Sequence, residues 1–171
     1  MLYNLDKTKL FANQCNTNTV DFPNLIINEG GGTDLRNCPN LIIIDHNGTK
    51  CRTECISGDA YASNHKAAGQ TQKSGDALFA IDKGKDYQVV LTEMKFKCTT
   101  KGSCESLASD IIKKTTSTKL LFCGICFYNE IYILVNSKEQ RLLNTLQRQL
   151  IAKKIYKVIT LSNLEDKFFK P

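Results

Sequence analysis

Hydrophobic positions along the chain fall into short runs, separated by polar stretches rich in glycine and asparagine. Residues 23–28 and 39–45 echo one another: each starts at a proline and continues through Leu-Ile-Ile, which predicts two strands. Gly30, Gly31 and Gly32 lie between them and predict the turn of an N-terminal β-hairpin. No Lys-Ser/Thr follows these glycines, so they do not read as a phosphate-binding loop. Residues 49–57 predict a short helix capped by Asn47 or Thr49, with Cys51 and Cys55 on one face. Residues 58–75 have no clear period and predict a loop. Beyond them the pattern sharpens. Residues 77–82 and 87–97 predict strands joined by a turn at 83–86, and 99–102 a loop. Ser103 then caps a helix carrying Leu107, Ala108, Ile111 and Ile112. Residues 120–127 and 131–135 predict two strands bent at Asn129 and Glu130. Residues 138–153 predict a helix with Leu142, Leu143, Leu146 and Leu150 on one face, and 156–161 a closing strand. This alternation predicts an α/β fold, a mixed sheet flanked by helices.

With 171 residues, 42% of them hydrophobic, the chain is sized for a single domain with its own core. No apolar run is as long as a membrane span, and the first residues lack the basic and apolar regions of a signal peptide. The expectation is a cytoplasmic protein with no membrane partner. Collagen-like, coiled-coil and disordered classes are excluded by composition. Eight cysteines in such a chain are expected to be reduced, mostly buried thiols. Cys123 and Cys126 form a C-x-x-C inside a predicted strand, which points them to opposite faces. The net charge of +6 is uneven: residues 1–75 balance at seven Lys/Arg and seven Asp/Glu, whereas 76–171 carry 16 against 10. A basic half of this kind suits a polyanion partner.

The candidate chemistry lies in the predicted hairpin. With its turn centred between Gly84 and Lys85, Asp76 falls directly opposite Glu93, their Cβ atoms about 5 Å apart. Lys95, two residues beyond Glu93, projects from the same face. Opposed carboxylates repel unless a cation separates them, and oxygen donors without thiol or imidazole favour Mg²⁺ or Mn²⁺. Asp59 lies in a second Ser-Gly-Asp-Ala and is the rival for the first acidic position.

Asp76 with Glu93-Met94-Lys95, in this order of elements, resembles the PD-(D/E)xK nuclease superfamily over about residues 50–135. The resemblance implies a restriction-endonuclease-like fold with an α-β-β-β-α-β core. In this chain the core would span 49–161 of a single nuclease-like domain, with residues 1–48 as a β-rich extension. It also implies metal held by Asp76, Glu93 and the Met94 backbone carbonyl, with Lys95 positioning or activating water. An acidic residue on the preceding helix often joins such sites, which makes Glu54 a further catalytic candidate. Gly75 stands where the family often has proline. The helix after the hairpin lacks the glutamine of some branches, but Lys113 and Lys114, like Lys97, are candidates for the nucleic-acid backbone. The expected function is a Mg²⁺- or Mn²⁺-dependent endonuclease, on DNA rather than RNA, working as a homodimer or with a targeting partner. The alternative is a catalytically inactive nucleic-acid-binding or adaptor/immunity-type subunit on the same fold.

Overall fold

The two strands flanking Gly84 form the centre of a six-stranded mixed sheet. In the computed structural model, which describes residues 1–44, 50–65, 74–99 and 104–171, eight strands are present. They are β1 (Val20–Asp21), β2 (Ile42–Ile44), β3 (Lys50–Arg52), β4 (Glu54–Ser57), β5 (Ala77–Lys83), β6 (Asp86–Lys95), β7 (Phe127–Val135) and β8 (Tyr156–Ile159). The helices are α1 (Leu5–Gln14), α2 (Phe22–Asn28), α3 (Gly32–Leu35), α4 (Gly58–His65), α5 (Cys104–Leu121), α6 (Gln140–Leu150) and α7 (Leu161–Phe168). The sheet order is β1-β4-β5-β6-β7-β8, antiparallel as far as β6 and parallel beyond it. β2 and β3 pair separately.

The α/β class follows from the sequence as expected, because strand alternation assigns each side chain to one of two covered faces. Ala77, Phe79, Ile81, Val90, Met94, Tyr132 and Leu134 pack beneath α2 and α7 with Phe22, Ile26, Leu164 and Phe168. Leu78, Val89, Leu91, Ile131, Ile133 and Val135 pack beneath α1, α5 and α6 with Phe11, Ile111, Leu142 and Leu146. Helices on both faces explain why β6 and β7 read as nearly continuous apolar runs.

Elsewhere the structure corrects the sequence reading. Residues 23–28 form helix, not strand: the Asp21 side chain accepts the Asn24 N–H as N-cap, and Pro23 sits in the first turn. The apolar run then buries Phe22 and Ile26, four apart, on one side. The expected hairpin between residues 23–28 and 39–45 is therefore absent, and residues 1–44 are mainly α1, α2 and α3, with β1 and β2 as short strands. Nor is 1–48 an appendage, since Tyr3, Phe22, Ile26 and Leu41 share a core with Phe79 and Phe168. Residues 42–44 are a strand, but pair with β3. The predicted 49–57 helix is instead β3 and β4; its cap candidates Asn47 and Thr49 lie outside the described residues. Thr53 breaks the two strands apart by donating its N–H and its hydroxyl to the Leu41 carbonyl, at 3.1 and 2.9 Å. The predicted 58–75 loop begins as α4, because the Ser57 hydroxyl accepts the Ala60 N–H and Tyr61 stacks on Phe122. Its residues 66–73, like Ser103 and the 100–102 loop, lie outside the described residues.

The predicted strand at 120–127 is displaced as well. α5 runs to Leu121, Gly124 turns the chain at φ +85°, and β7 is one strand through Asn129 and Glu130, where its register against β6 shifts between Phe127 and Ile131. Cys123 and Cys126 are thus exposed in a turn, not buried in a strand. The six cysteines whose side chains are described are free, with Cys38 and Cys55 buried. Finally, α7 was not anticipated, although Leu161, Leu164 and Phe168 have helical spacing and Thr160 with Asn163 forms a capping box. No helix among the described residues is long and apolar enough to cross a membrane.

Candidate active site

β5 and β6 pair in the register the turn predicts, with Ala77 opposite Thr92 and Asp82 opposite Tyr87. The ladder ends one residue before Asp76, whose N–H donates to the Thr92 carbonyl at 3.0 Å. Its side chain then reaches across the strand gap, where Oδ2 accepts the Met94 N–H. Asp76 and Glu93 thus meet on one face at the end of the hairpin, both buried.

The approach to Asp76 is set by two glycines. The Gly58 N–H donates to the Asp76 carbonyl at 3.2 Å, and a Cβ on Gly58 would lie 1.9 Å from the Gly75 oxygen. A Cβ on Gly75 would stand 2.7 Å from a Leu91 methyl. Only chains without side chains pack this closely. The two Ser-Gly-Asp-Ala copies are therefore neighbours in space, with Ser57 opposite Ala77 in the ladder. α5 clamps the same segment: Thr118 Oγ1 accepts the Gly75 N–H at 2.6 Å and donates to the Lys114 carbonyl at 2.8 Å.

Four charges converge here. Lys95 donates to Glu93 Oε1 and lies 3.3 Å from the Met94 carbonyl. Lys114, from α5, stands 3.1 Å from the same Glu93 oxygen and 3.6 Å from Asp76 Oδ1. Glu93 is fully buried, and its Oε2 has no hydrogen-bond partner among the described residues. Burial pushes its carboxyl up to about 7, with the Asp76 charge adding to the rise and both lysines opposing it. For Lys114, burial alone lowers the pKa, but Glu93, Asp76 and Asp59 outweigh it and hold the ammonium above its ordinary range.

Sequence reasoning brought Asp76, Glu93, Met94 and Lys95 together, and the structure brings them together too. Glu54 is a correction. It lies on β4, level with Ala80, four residues up the strand from Asp76 and roughly 13 Å away. There it accepts from Thr19 and pairs with Lys9 at 3.5 Å. The further acidic residue whose charge interacts with Asp76 is instead Asp59, in the first turn of α4. Its carboxyl is raised by desolvation and by Asp76, and lowered by Lys114, Lys95 and the Ser74 backbone. The Ser-Gly-Asp-Ala repeat was the signal that marked it. Lys114 is a second correction: it turns inward to the carboxylates rather than outward to a backbone. Lys97 is committed as well, donating to the Asn28 carbonyl at the end of α2 at 2.8 Å. Lys113 is exposed.

Among the described residues, no three His, Cys, Asp or Glu side chains come close enough to share a metal ion. Two carboxylates and a backbone carbonyl nevertheless fit Mg²⁺ or Mn²⁺, because Mg²⁺ is commonly held by one or two carboxylates with water and phosphate completing its shell. The unpartnered Glu93 Oε2 is a buried oxygen of the required kind. A groove of about 730 Å³ at the opposite end of the sheet, beside Tyr87, Gln88 and Cys126, contains none of these residues. No protein-family model, curated protein or solved structure matches the chain.

Proposed function

We infer that the chain is a metal-dependent endonuclease of the PD-(D/E)xK kind, hydrolysing phosphodiester bonds in nucleic acid, with DNA the favoured substrate. The observation that carries this reading is Glu93: a wholly buried carboxylate beside Asp76, with one oxygen unpartnered. Burying a carboxylate next to another is costly, and a core gains nothing from it over an apolar residue. The order α1-β4-β5-β6-α5-β7 supports it: a helix, three antiparallel strands, a helix, and a strand parallel to the third. β1, α2, α3, β2, β3 and α4 are insertions in that scheme.

In this reading Asp76, Glu93 and the Met94 carbonyl would hold the cation. Bound there, a divalent metal supplies Lewis-acid stabilisation of the charge that develops on the scissile phosphate. Asp76 also fixes the strand end through the Met94 N–H, which aims the Met94 carbonyl into the site. Lys95 is placed to orient the attacking water and to meet the phosphate's negative charge. The polymer is held by backbone contacts from exposed cations such as Lys113.

Purified protein incubated with plasmid, single-stranded DNA and RNA tests this, each with Mg²⁺, Mn²⁺ or chelator. Cleavage that requires metal is expected, greatest on DNA. Glu93→Gln should lose both metal binding and cleavage. Lys95→Ala should keep metal binding while cleavage falls about a hundredfold or more. Retardation of nucleic acid without cleavage under any metal would make the chain a binding module instead.

A further inference from the structure

The four converging charges are not symmetrically arranged. Glu93 Oε1 takes both lysines, while Oε2 takes neither. Asp76 spends Oδ2 on the Met94 N–H and turns Oδ1 toward Lys114. Lys114 is therefore the cation that spans the two carboxylates, while Lys95 sits on Glu93 and the Met94 carbonyl.

The tethers of the two lysines differ as well. Lys95 leaves from the end of β6, where the strand is paired to Val135 of β7. Lys114 leaves from a helical turn that Thr118 fixes to Gly75, so its backbone is anchored while its four-carbon stem is free to swing. Its side chain is 24% exposed, against 12% for Lys95, so it is the more solvent-accessible of the two. A second cation bound to Asp76 Oδ1 and Glu93 would stand within a few ångströms of that ammonium. Like charges at such range repel strongly away from bulk water. Both cannot stay.

We propose that Lys114 is a displaceable internal counter-ion: it spans Asp76 and Glu93 where a divalent cation would bind, and it moves to a nucleic-acid phosphate when that cation arrives. Metal and nucleic acid then bind cooperatively, since the metal releases an ammonium for the phosphate and the phosphate draws it off the carboxylates. The inference rests on the reading of this site as a metal centre, and its test separates the two.

Mn²⁺ affinity is measured by calorimetry and by the electron spin resonance of free Mn²⁺, for the full chain and its variants. Each titration is run with and without a short phosphorothioate DNA duplex that resists cleavage. Lys114→Met is expected to bind Mn²⁺ about tenfold or more tightly than the parent without DNA. The duplex should tighten Mn²⁺ binding by the parent and leave the variant unchanged. Lys85→Met, exposed in the turn at the far end of the hairpin, should follow the parent. Thermal unfolding checks that Lys114→Met is folded, and Lys114→Gln repeats the measurement in a polar form. Unchanged Mn²⁺ affinity in both Lys114 variants, with loss in Glu93→Gln, overturns the counter-ion role and leaves the metal centre standing. Mn²⁺ binding to none of these proteins overturns both. Binding by the Lys114 variants alone supports both.

Discussion

Glu93 makes the site's demands on stability measurable. Its carboxyl sits near 4.5 in an unfolded chain and about 7 in the fold, so between these values the folded state holds a proton the unfolded state has released. The stability associated with that proton is fully present below about pH 4.5 and is lost as the pH rises to about 7. The expected loss is on the order of 2–3 kcal/mol for a group this buried. Urea unfolding at pH 5 and pH 8 should show it in the parent protein, and the slope should flatten in Glu93→Gln. An undiminished slope in that variant would mean that another group titrates. Divalent cation should raise the melting temperature more at pH 8 than at pH 5, because only ionised Glu93 is a ligand.

At the scale of elements, the site depends on how α5 and α4 grip the chain ahead of β5. Thr118 is a single hydroxyl that accepts the buried Gly75 N–H and donates back to its own helix. Thr118→Val keeps the shape and strands that N–H, so it should cost about 1–3 kcal/mol in chemical denaturation. It touches neither carboxylate, yet Asp76 follows directly after Gly75. Metal affinity should therefore fall with stability. A variant that loses stability and keeps full metal affinity would show that α5 does not position Asp76. Thr115, one turn earlier on the same buried side, hydrogen-bonds Tyr156 instead and serves as the contrast.

At the scale of the whole molecule, charge and architecture coincide. The basic surplus of residues 76–171 includes Lys113, Arg141 and Arg148, exposed on the two helices that cover the face carrying the site. Polyanion binding should therefore weaken steeply with salt. A surface that meets three or more phosphates loses more than about tenfold in affinity between 50 and 200 mM salt. Fluorescence anisotropy with a labelled duplex checks this, and affinity independent of salt would contradict a basic docking face. Reversing charge at Lys113 should reduce the salt slope; at Lys97, whose ammonium is tied to α2, it should change the slope little.

The sequence by itself determined the central hairpin, its register and the convergence of Asp76, Glu93 and Lys95. Each is a local property: a turn of fixed length pairs neighbouring strands, and alternation then assigns every side chain a face. The leucine-striped α6 was legible for the same reason, as a period within one segment. What reaches that face from elsewhere was decided only by tertiary structure. Lys114 looked like any exposed helical lysine until α5 was docked, because whether it faces water or Glu93 depends on the rotation of that helix against the sheet. Asp59 and Glu54 were both acidic residues upstream of the hairpin. Thr53 hydrogen-bonding to Leu41 made a strand of residues 54–57 and carried Glu54 away, while Gly58 packing on Gly75 brought Asp59 near. The apolar run at 23–28 fits a strand and a helix equally well over so few residues, and the Asp21 cap together with burial of Phe22 and Ile26 against the sheet decided for the helix. Short-range pattern fixes elements that bury their own periodic face; contacts between distant segments choose among conformations that the local pattern leaves nearly equal in energy.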